Sequence, residues 1–493
     1  MITILLVISI LAALLPLAGR SFRSISLIAL ACTTVVFGLS AYVSIPVLLG
    51  GPISEGAGFW YLDGLGALLM LLIGFVQWTA SLASVSYLRD ELHEKEITIG
   101  QVRRYYGIAG FFVLSMLTLA ASDNLGVMWI ALEATTLMTT FLVAFYSREG
   151  SLEAAWKYLI LCSTGISLGL LGLLITYYGA SSGGLLSGLS AMRWSELMKI
   201  APHLSPSLMN LAFAFIIIGF GAKAGIAPMH TWLPDAHSRA PSPISGMLSS
   251  VLLSSALFGI LRFKAIVDAA HGSSVWSNEL FLVFGVITCA LPAAFIISQV
   301  DYKRLLAYSS VEHMGLIFFA IGLGTYGAVV AVAHMVAHIL AKSALFFGAG
   351  SMLVRFKSTK FKRMGNVMRV MPITGALFLT TLLALLAVPP SPIFFTEYLV
   401  VAFGISTHPV LTAVILLSLA VIFAGFIRWF IPMMYHKMLV DDGRADFSIQ
   451  GERWNGAHTA MFLHVVALAA FGALLWTGIG FSFIQGISSF ISI

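Results

Sequence analysis

Apolar runs of about 20 residues recur from one end of the chain to the other, and short polar stretches separate them. Within each run the apolar residues are continuous, without the alternation typical of the strands of membrane barrels. Because a bilayer core offers no water to backbone amides, such runs must satisfy their own hydrogen bonds and are predicted to be helices. About 14 transmembrane helices are predicted, over 2–18, 24–45, 60–88, 105–121, 123–146, 153–178, 208–228, 240–263, 277–299, 304–323, 326–353, 371–402, 409–436 and 458–485.

The composition agrees with a chain that lies mostly within a bilayer. Hydrophobic residues make up 59% of the 493 residues and charged residues only 10%, whereas a soluble domain carries about 25% charged residues. The predicted fold class is therefore an all-α polytopic membrane protein. The net charge of +6 does not indicate nucleic-acid binding, because basic residues of membrane proteins gather in cytoplasmic loops. The three cysteines are isolated in apolar runs, so no cysteine-based metal or cofactor site is expected.

Basic residues are distributed unequally between alternate loops. One set of loops holds Arg20, Arg23, Arg89, Lys95, Arg103, Arg104, Arg148, Arg239, Lys303, Arg304, Arg355, Lys357, Lys360, Lys362, Arg363, Arg369, Lys437, Arg444 and Arg453. The other set holds only Arg193, Lys199 and Lys264. Since positively charged loops stay on the cytoplasmic side, the protein is predicted to lie in the inner (cytoplasmic) membrane, with both termini on the outer, periplasmic side.

Two of the predicted spans are interrupted by glycine and proline. The seventh contains Gly225 and Pro228, and the twelfth contains Pro389, Pro390 and Pro392. Broken spans at corresponding positions of two halves are typical of inverted-repeat transporters and point to their working site. We therefore predict two inverted five-helix repeats with broken helices 7 and 12. The predicted division is helices 1–3 over 1–100, helices 4–8 over 101–265, helices 9–13 over 266–440, and helix 14 over 441–493.

Several ionisable residues lie within the predicted spans, where a charged group costs roughly 2.5–3.5 kcal/mol on insertion scales. For residues retained at such a cost, a functional role is the first hypothesis and a structural role the second. They are Glu133, Lys157, Lys223, His334, His338, Lys342 and Glu397. Asp123 lies at the start of the fifth span, where it could equally be an N-cap.

Three of these groups share one face of the eleventh predicted helix. His334, His338 and Lys342 are four residues apart, which stacks them about 6 Å from one another. Such a row suits proton hopping through side chains and water. Histidines at i and i+4 are also a metal-ligand pattern. A metal would need a third ligand, and lysine is a poor one, so no metal site is predicted.

Most of these candidates also have a structural interpretation. Glu133 and Lys223 could form a buried ion pair that only fixes helix packing. Lys157 lies near a helix end and could extend its ammonium group to the membrane surface. His334 could be a packing histidine, and Glu397 could cap the helix beside the second break.

Five stretches of the sequence resemble one family of membrane subunits. The longest, GAKAGIAPMHTWLPDAHSRAPSPIS at 221–245, is similar to the seventh-helix motif of the antiporter-like subunits of respiratory complex I, multisubunit cation/proton antiporters and membrane-bound [NiFe] hydrogenases. The others are SDNLGVMWIALE (122–133), DYKRLLAYSSVEHMG (301–315), HMVAHILAKSALFFGAG (334–350) and PPSPIFFTEYL (389–399). Within this family, SSVEHMG, with Glu312 before His313, most resembles hydrogenase-4 component F.

The resemblance implies a role for the charged positions of the first half. Glu133 resembles the fifth-helix glutamate that pairs with the seventh-helix lysine, here Lys223. Lys157 resembles a lysine beside that pair. His230 and Asp235 lie within the seventh-helix motif, after the first break, and are expected to support the site. Asp123, at the start of the fifth helix, is expected to do the same.

In the second half the resemblance implies a relay. His334, His338 and Lys342 match the central groups of the eleventh helix, with His313 as a supporting residue. Glu397 matches the twelfth-helix group that hands the proton to the outer side. Where several relatives carry Lys or His on the eighth helix, this chain has Ser254, which leaves the link between the halves to water or a hydroxyl group.

These expectations together describe a proton-translocating subunit that is not catalytic alone. Lys223 would hold its proton beside Glu133 and pass it on when the two separate. No cofactor is expected in this chain, because it has no nucleotide-binding motif. The partners expected are other membrane subunits and peripheral hydrogenase-type subunits that carry [NiFe] and iron–sulfur centres. The alternatives are a subunit of an NADH-quinone oxidoreductase or of a multisubunit sodium/proton antiporter, or a structural membrane anchor without transport.

Overall fold

The computed structural model describes residues 1–182, 184–436 and 451–488, and most of them are helical. The helices are α1 (Ile2–Leu14), α2 (Phe22–Gly50), α3 (Gly64–His93), α4 (Ile99–Ala121), α5 (Leu125–Val143), α6 (Glu149–Ser182), α7 (Trp194–Ile200), α8 (Pro206–Ala224), α9 (Trp232–Arg239), α10 (Ser242–Met247), α11 (Leu253–His271), α12 (Val275–Ile296), α13 (Tyr302–Gly322), α14 (Thr325–Phe356), α15 (Val367–Val370), α16 (Pro372–Leu385), α17 (Pro392–Thr407), α18 (Pro409–Tyr435), α19 (Gly456–Trp476) and α20 (Ile479–Ser488). A short antiparallel hairpin, β1 (Ile53–Glu55) and β2 (Trp60–Leu62), joins α2 to α3.

The predicted number of membrane spans is confirmed. Among the described residues, twelve helical segments are long and apolar enough to cross a membrane. The first span is a shorter apolar helix that ends at Ala18, and the twelfth is divided between α16 and α17. With these two added to the twelve, the described residues contain fourteen apolar segments that correspond to the predicted spans. The protein is therefore a multi-pass, all-α membrane protein, as its composition indicates.

Two helix boundaries differ from the prediction for local reasons. The third span begins at Gly64 because the Asp63 carboxylate caps it, accepting a hydrogen bond from the Gly66 amide at 2.9 Å. The predicted last helix is two helices, because Gly478, with φ of 76°, lies between α19 and α20. Two of the basic loop residues, Lys437 and Arg444, lie in 437–450, outside the described residues.

Both predicted breaks are present, and at each of them a tryptophan indole donates a hydrogen bond to a backbone carbonyl. The seventh span stops at Ala224, and the Trp232 indole beyond the break donates to the Ala222 carbonyl at 2.8 Å. The twelfth span stops at Leu385, and the Trp476 indole donates to the Pro390 carbonyl at 3.2 Å. Irregular backbone survives in a membrane only where protein groups replace the lost helical hydrogen bonds. Each indole supplies such a replacement.

The centre of the bundle is formed by the eighth, tenth and eleventh spans. The apolar windows of Ser242–His271 (α10 and α11), α13 and α14 are fully buried, whereas only 33% of the residues in the windows of α2, α18 and α19 are buried. A π-helical turn, Leu248–Leu252, joins α10 to α11. Four of the ionisable candidates, Lys223, His334, His338 and Lys342, are buried among these helices and their neighbours.

A buried ion pair joins the helices at the end of the bundle that carries the hairpin. The Arg262 guanidinium on α11 donates to Asp63 Oδ2 at 2.5 Å, and both side chains are almost fully buried. The guanidinium also lies 4.2 Å from the Trp194 ring centroid, and the Trp194 indole donates to the Arg262 carbonyl at 2.9 Å. The pair therefore ties α3, α7 and α11 together.

Replacing Arg262 with methionine is expected to lower the stability of the protein by roughly 3–5 kcal/mol, because the Asp63 carboxylate would stay buried without its partner. The matched control is Lys199→Met, which removes an exposed partner of Glu196 (2.9 Å) and should change stability by about 0–1 kcal/mol. The measurement is the midpoint of heat-induced loss of monodisperse protein in mild detergent. Equal midpoints for the two variants would show that the buried pair does not hold the helices together.

Candidate functional site

Lys223 occupies the last turn of α8, directly before the first break, and is fully buried. Its position follows from close packing of α8 on α6, where Gly219 lies so near Gly165 and Gly169 that a Cβ atom at Gly219 would overlap their backbone. The Lys223 Nζ atom donates to Thr136 Oγ1 at 2.6 Å and to the Tyr158 hydroxyl at 2.7 Å. The ammonium group is thus held by neutral hydroxyls.

Glu133 reaches Lys223 through Thr136 and not directly. The Thr136 hydroxyl accepts from Lys223 and donates to Glu133 Oε2 at 3.0 Å, and Ser163 donates to the other carboxylate oxygen at 2.7 Å. In the described part of the chain, no ion pair within 4.0 Å joins Lys223 to a carboxylate. The two residues expected to pair are therefore brought together, with one hydroxyl between them.

A second cluster follows one face of α14, as the spacing predicted. His334, His338 and Lys342 are each at most 1% exposed. The Lys342 ammonium donates to the Leu306 carbonyl at 2.7 Å and to the Ser309 hydroxyl, both on α13. Like Lys223, this buried lysine is held by neutral oxygen atoms.

The histidines of α14 continue toward the second break. His313 Nδ1 lies 3.0 Å from His334 Nε2, and His334 Nδ1 lies 2.9 Å from Thr396 Oγ1 on α17. Glu397, the next residue on α17, is partly buried at the edge of this group. The structure therefore places the relay histidines and the twelfth-span glutamate in one cluster.

Buried hydroxyl groups of the eighth span bond to α13 and α14, the helices that carry the second lysine cluster. Ser249 shares a hydrogen bond of 2.6 Å with Ser310 on α13, and Ser343 on α14 donates to Ser250 at 3.0 Å. Both serines of the eighth span lie in its π-helical turn. Ser254, where relatives are expected to carry Lys or His, donates to the Ser250 carbonyl of its own helix at 3.0 Å. The eighth span of this chain therefore carries serine hydroxyls, which both donate and accept hydrogen bonds, where relatives are expected to carry an ionisable residue.

Lys157 lies at the surface, away from the buried amine of Lys223. Its side chain is 50% exposed and forms ion pairs with Glu153 at 2.6 Å and Asp235 at 3.6 Å. Asp235 also accepts from Arg304 at 3.0 Å. This arrangement matches the interpretation in which a lysine near a helix end extends to the membrane surface. His230, by contrast, is 5% exposed beside the first break.

Asp123 has a role at the opposite end of the bundle. Asn124, not Asp123, caps α5, so the interpretation of Asp123 as the N-cap is wrong. The Asp123 carboxylate accepts from Arg193 Nε at 2.9 Å and from the Ser195 hydroxyl at 2.6 Å. It therefore anchors the segment between α6 and α8 to the start of α5.

Among the buried ionisable residues that were not predicted as site residues are His237, Lys303 and Glu312. His237 is fully buried between the rings of Trp232 and Phe346, at centroid distances of 6.5 and 5.2 Å. Lys303 donates to the Ala240 carbonyl at 2.8 Å, and Glu312 is 3% exposed. His237 and Lys303 occur in or next to polar loops, where sequence gives no sign of burial. Glu312 carried a signal, because it lies within the predicted span 304–323 and inside the SSVEHMG motif.

The central part of the chain matches a known family. Residues 122–423 match the family model described as NADH:quinone oxidoreductase/Mrp antiporter, transmembrane. The chain belongs to this family. The matched segment contains both lysine clusters, both breaks and the serines between them, so the family resemblance and the buried groups coincide.

Two curated relatives are hydrogenase components. A hydrogenase-4 component F homolog of Methylacidiphilum infernorum is 36% identical over 364 residues, covering 73% of this chain and 76% of the relative. Hydrogenase-4 component B of Escherichia coli is 31% identical over 349 residues, covering 68% of this chain and 49% of the relative. The chain therefore spans about half the length of component B. The resemblance to the component F type, read from SSVEHMG, is confirmed.

Solved structures of other complexes contain chains with the same fold. A chain of an archaeal membrane-bound sulfane sulfur reductase superposes with a TM-score of 0.84 at 20% identity, covering 99% of this chain and 97% of the other. A chain of complex I from Thermus thermophilus gives 0.76 at 22% identity, with coverage of 97% and 98%. A chain of the Mrp complex of Dietzia gives 0.82 at 15% identity, with coverage of 99% and 97%. At these identities the likeness shows the fold alone.

Replacing Thr136 with valine, which has nearly the same shape, is expected to cost roughly 1–3 kcal/mol of stability, because the buried Lys223 ammonium loses an acceptor. Thr140→Val is the matched control, one turn further along α5, where the hydroxyl bonds only to the Thr136 carbonyl at 2.7 Å. The midpoint of thermal unfolding in detergent should fall more for Thr136→Val than for the control. If both variants lose the same stability, the Thr136 bridge is not formed.

Proposed function

We propose that this chain is the proton-translocating, antiporter-like membrane subunit of an energy-converting redox complex, and that this complex is a membrane-bound [NiFe] hydrogenase. The observation that carries the proposal is the arrangement of Lys223, Thr136 and Glu133. A buried ammonium group without a direct counter-ion is costly in a membrane. Its retention beside a broken helix, with a carboxylate one hydroxyl away, is what a group that alternately holds and releases a proton requires.

The proton path that we propose runs from Lys223 to the second lysine cluster. The steps between them are the hydroxyls of the eighth span and α13, with Ser249 and Ser310 in contact and Ser310 also donating to the Leu306 carbonyl that binds Lys342. Serine hydroxyls can pass a proton on because each is both donor and acceptor. Buried water would fill the remaining gaps.

From Lys342 the path continues along α14. The His313 ring contacts the rings of both His334 and His338, with centroid distances of 5.1 and 5.2 Å. Glu397 then hands the proton to the outer side. We propose supporting roles for His230 and Asp235 beside the first break. The half-exposed Lys157 is proposed to act at the entrance, through its ion pair with Asp235.

The orientation of the chain follows from the same proposal. The loops rich in Lys and Arg face the cytoplasm of a cell with an inner membrane, and both termini face the periplasm. The fourth to eighth and the ninth to thirteenth transmembrane spans are proposed to be inverted repeats, since each set contains one span that ends before a proline-containing break. Asp123 would then support the outer end of the first repeat.

The redox partners of the chain are proposed from its relatives. Hydrogenase-4 components are among the curated relatives that cover two thirds or more of this chain. Other membrane subunits and peripheral hydrogenase-type subunits would complete the complex, and the [NiFe] and iron–sulfur centres would lie in those partners. The energy for translocation would come from their redox reaction, with this chain not catalytic by itself.

The substitutions Lys223→Ala and Glu133→Gln are expected to slow redox-driven proton translocation at least about tenfold, because each removes a proton-exchanging group. The measurement is quenching of a pH-sensitive dye in vesicles that hold the intact complex. The controls are Lys199→Ala and Glu149→Gln, which remove the same charges from exposed positions. Co-purification of the partner subunits with each variant reports assembly.

Three results would contradict the pathway in different ways. Full proton translocation in Lys223→Ala would exclude the path. Loss of assembly, with normal translocation by the complex that remains, would indicate a structural anchor. If the parent protein forms a pH gradient across the vesicle membrane only when sodium is added, the chain is a sodium/proton antiporter subunit.

The identity of the complex has a direct test. Mass spectrometry of the assembly that co-purifies with the tagged chain from its native membrane, in mild detergent, should reveal a [NiFe] hydrogenase large subunit. Quinone-reductase subunits, or only small antiporter subunits, would exclude the hydrogenase assignment and leave the proton path standing on its own evidence.

A further inference from the structure

Two histidines and a glutamate converge in the second cluster with the spacing of metal ligands. One ligand atom from each of His313, His334 and Glu397 lies within 4.8 Å of the other two. The closest pair, His313 Nδ1 and His334 Nε2, is separated by 3.0 Å. Two ligand atoms of a tetrahedral zinc ion, each about 2.0–2.1 Å from the metal, lie about 3.3 Å apart. The two rings therefore need to open by only a few tenths of an ångström to accept an ion between them.

We propose that His313, His334 and Glu397 form a binding site for a divalent transition-metal ion of the zinc type, and that the bound ion blocks the path of protons through this cluster. The three side chains come from α13, α14 and α17, so only the tertiary fold assembles them. The spacing of His334 and His338 along α14 does not by itself give this site.

The groups behind the ligands favour a metal as well. His334 uses its other ring nitrogen, Nδ1, on Thr396 Oγ1 at 2.9 Å. His313 Nε2 lies 3.6 Å from the Glu312 carboxylate, an ion-pair distance that is too long for a hydrogen bond. Metal-binding histidines almost always have an outer partner that orients the ring; Thr396 bonds to His334, and Glu312 is the nearby candidate for His313. Both ligand histidines are buried, at most 1% exposed.

His338 is the natural fourth ligand. It is fully buried, and neither of its ring nitrogens has a hydrogen-bond partner within the described residues. Its ring lies 5.2 Å from the His313 ring, centroid to centroid. Buried polar atoms without partners are uncommon and call for an explanation. Rotation of this ring toward His313 would supply a third nitrogen ligand.

The donor set and the charge select the type of ion. Imidazole nitrogens suit zinc and its neighbours, whereas calcium and magnesium prefer six or more oxygen ligands. The carboxylates of Glu397 and Glu312 together balance the two positive charges of the ion, which a buried cation in a membrane requires. Glu397, the partly exposed member, lies at the edge through which an ion would enter.

The consequence for transport rests on the proposed function. An ion bound to His313 and His334 replaces the hydrogen that the two nitrogens share, so this pair can no longer receive or release a proton. Binding of the metal is independent of whether the chain translocates protons, and the two can be measured apart.

The test uses the intact complex, stripped of loosely bound metal by a chelator and then titrated with Zn²⁺ against a competing dye. We expect one added equivalent to bind, with a zinc absorption-edge spectrum showing at least two histidine nitrogens at about 2.0–2.1 Å. His313→Gln and His334→Gln should each weaken binding at least about tenfold. The control, His271→Gln, removes a histidine that bonds to Asn210 away from this cluster and should leave binding unchanged.

Transport is measured on the same samples. In the parent complex, proton translocation should fall in proportion to zinc occupancy of the site and recover when the ion is removed by chelator. Zinc that binds equally to the parent and to His313→Gln, or no stoichiometric binding at micromolar Zn²⁺, would overturn the metal site and leave the proposed proton path untouched. A filled site with undiminished translocation would overturn the block and, with it, the route of protons through His313 and His334.

Discussion

The whole arrangement depends on one constraint, which is that a backbone amide or carbonyl inside a bilayer must find its hydrogen-bond partner within the protein. Most of the chain meets it by continuous helix. The two broken spans meet it with side chains, through the indoles of Trp232 and Trp476 and the Thr288 hydroxyl, which accepts from the Ala227 amide at 3.0 Å. These replacements allow the chain to stop a helix in mid-membrane, and the helix ends so created are where Lys223 and Glu397 lie.

A second constraint is the free-energy cost of burying charge. The two buried lysines of the candidate site are stabilised by hydroxyl and carbonyl oxygens and not by direct ion pairs. Lys223 is held by Thr136 and Tyr158, and Lys342 by Ser309 and the Leu306 carbonyl. A direct ion pair would bind each proton more firmly. The Arg262–Asp63 pair shows the contrast, since that direct contact lies at one end of the bundle and joins helices. A direct ion pair is thus found where helices are anchored to one another, and a hydroxyl-bridged pair is found at the candidate site.

Sequence patterns anticipated much of the fold and the identity of many site residues. The fourteen spans, both breaks and the shared face of His334, His338 and Lys342 follow from local periodicity and from proline chemistry, which act within one helix. The seventh-helix motif led to the family. Lys157 was placed near the Lys223 pair by resemblance. Its exposure shows what a motif leaves open, since a motif gives the position of a lysine in the chain but not the direction in which its long side chain extends.

The sequence by itself determined which segments cross the membrane, where two of them break and which ionisable residues accompany the breaks, because those properties depend on apolar length and backbone chemistry alone. The tertiary structure decided which groups meet. The Thr136 bridge between Lys223 and Glu133, the serine contacts of the π-helical turn and the cluster of His313, His334 and Glu397 each join side chains from different helices. Such meetings are set by the rotation and depth of packed helices, which depend on side-chain shapes across the whole bundle.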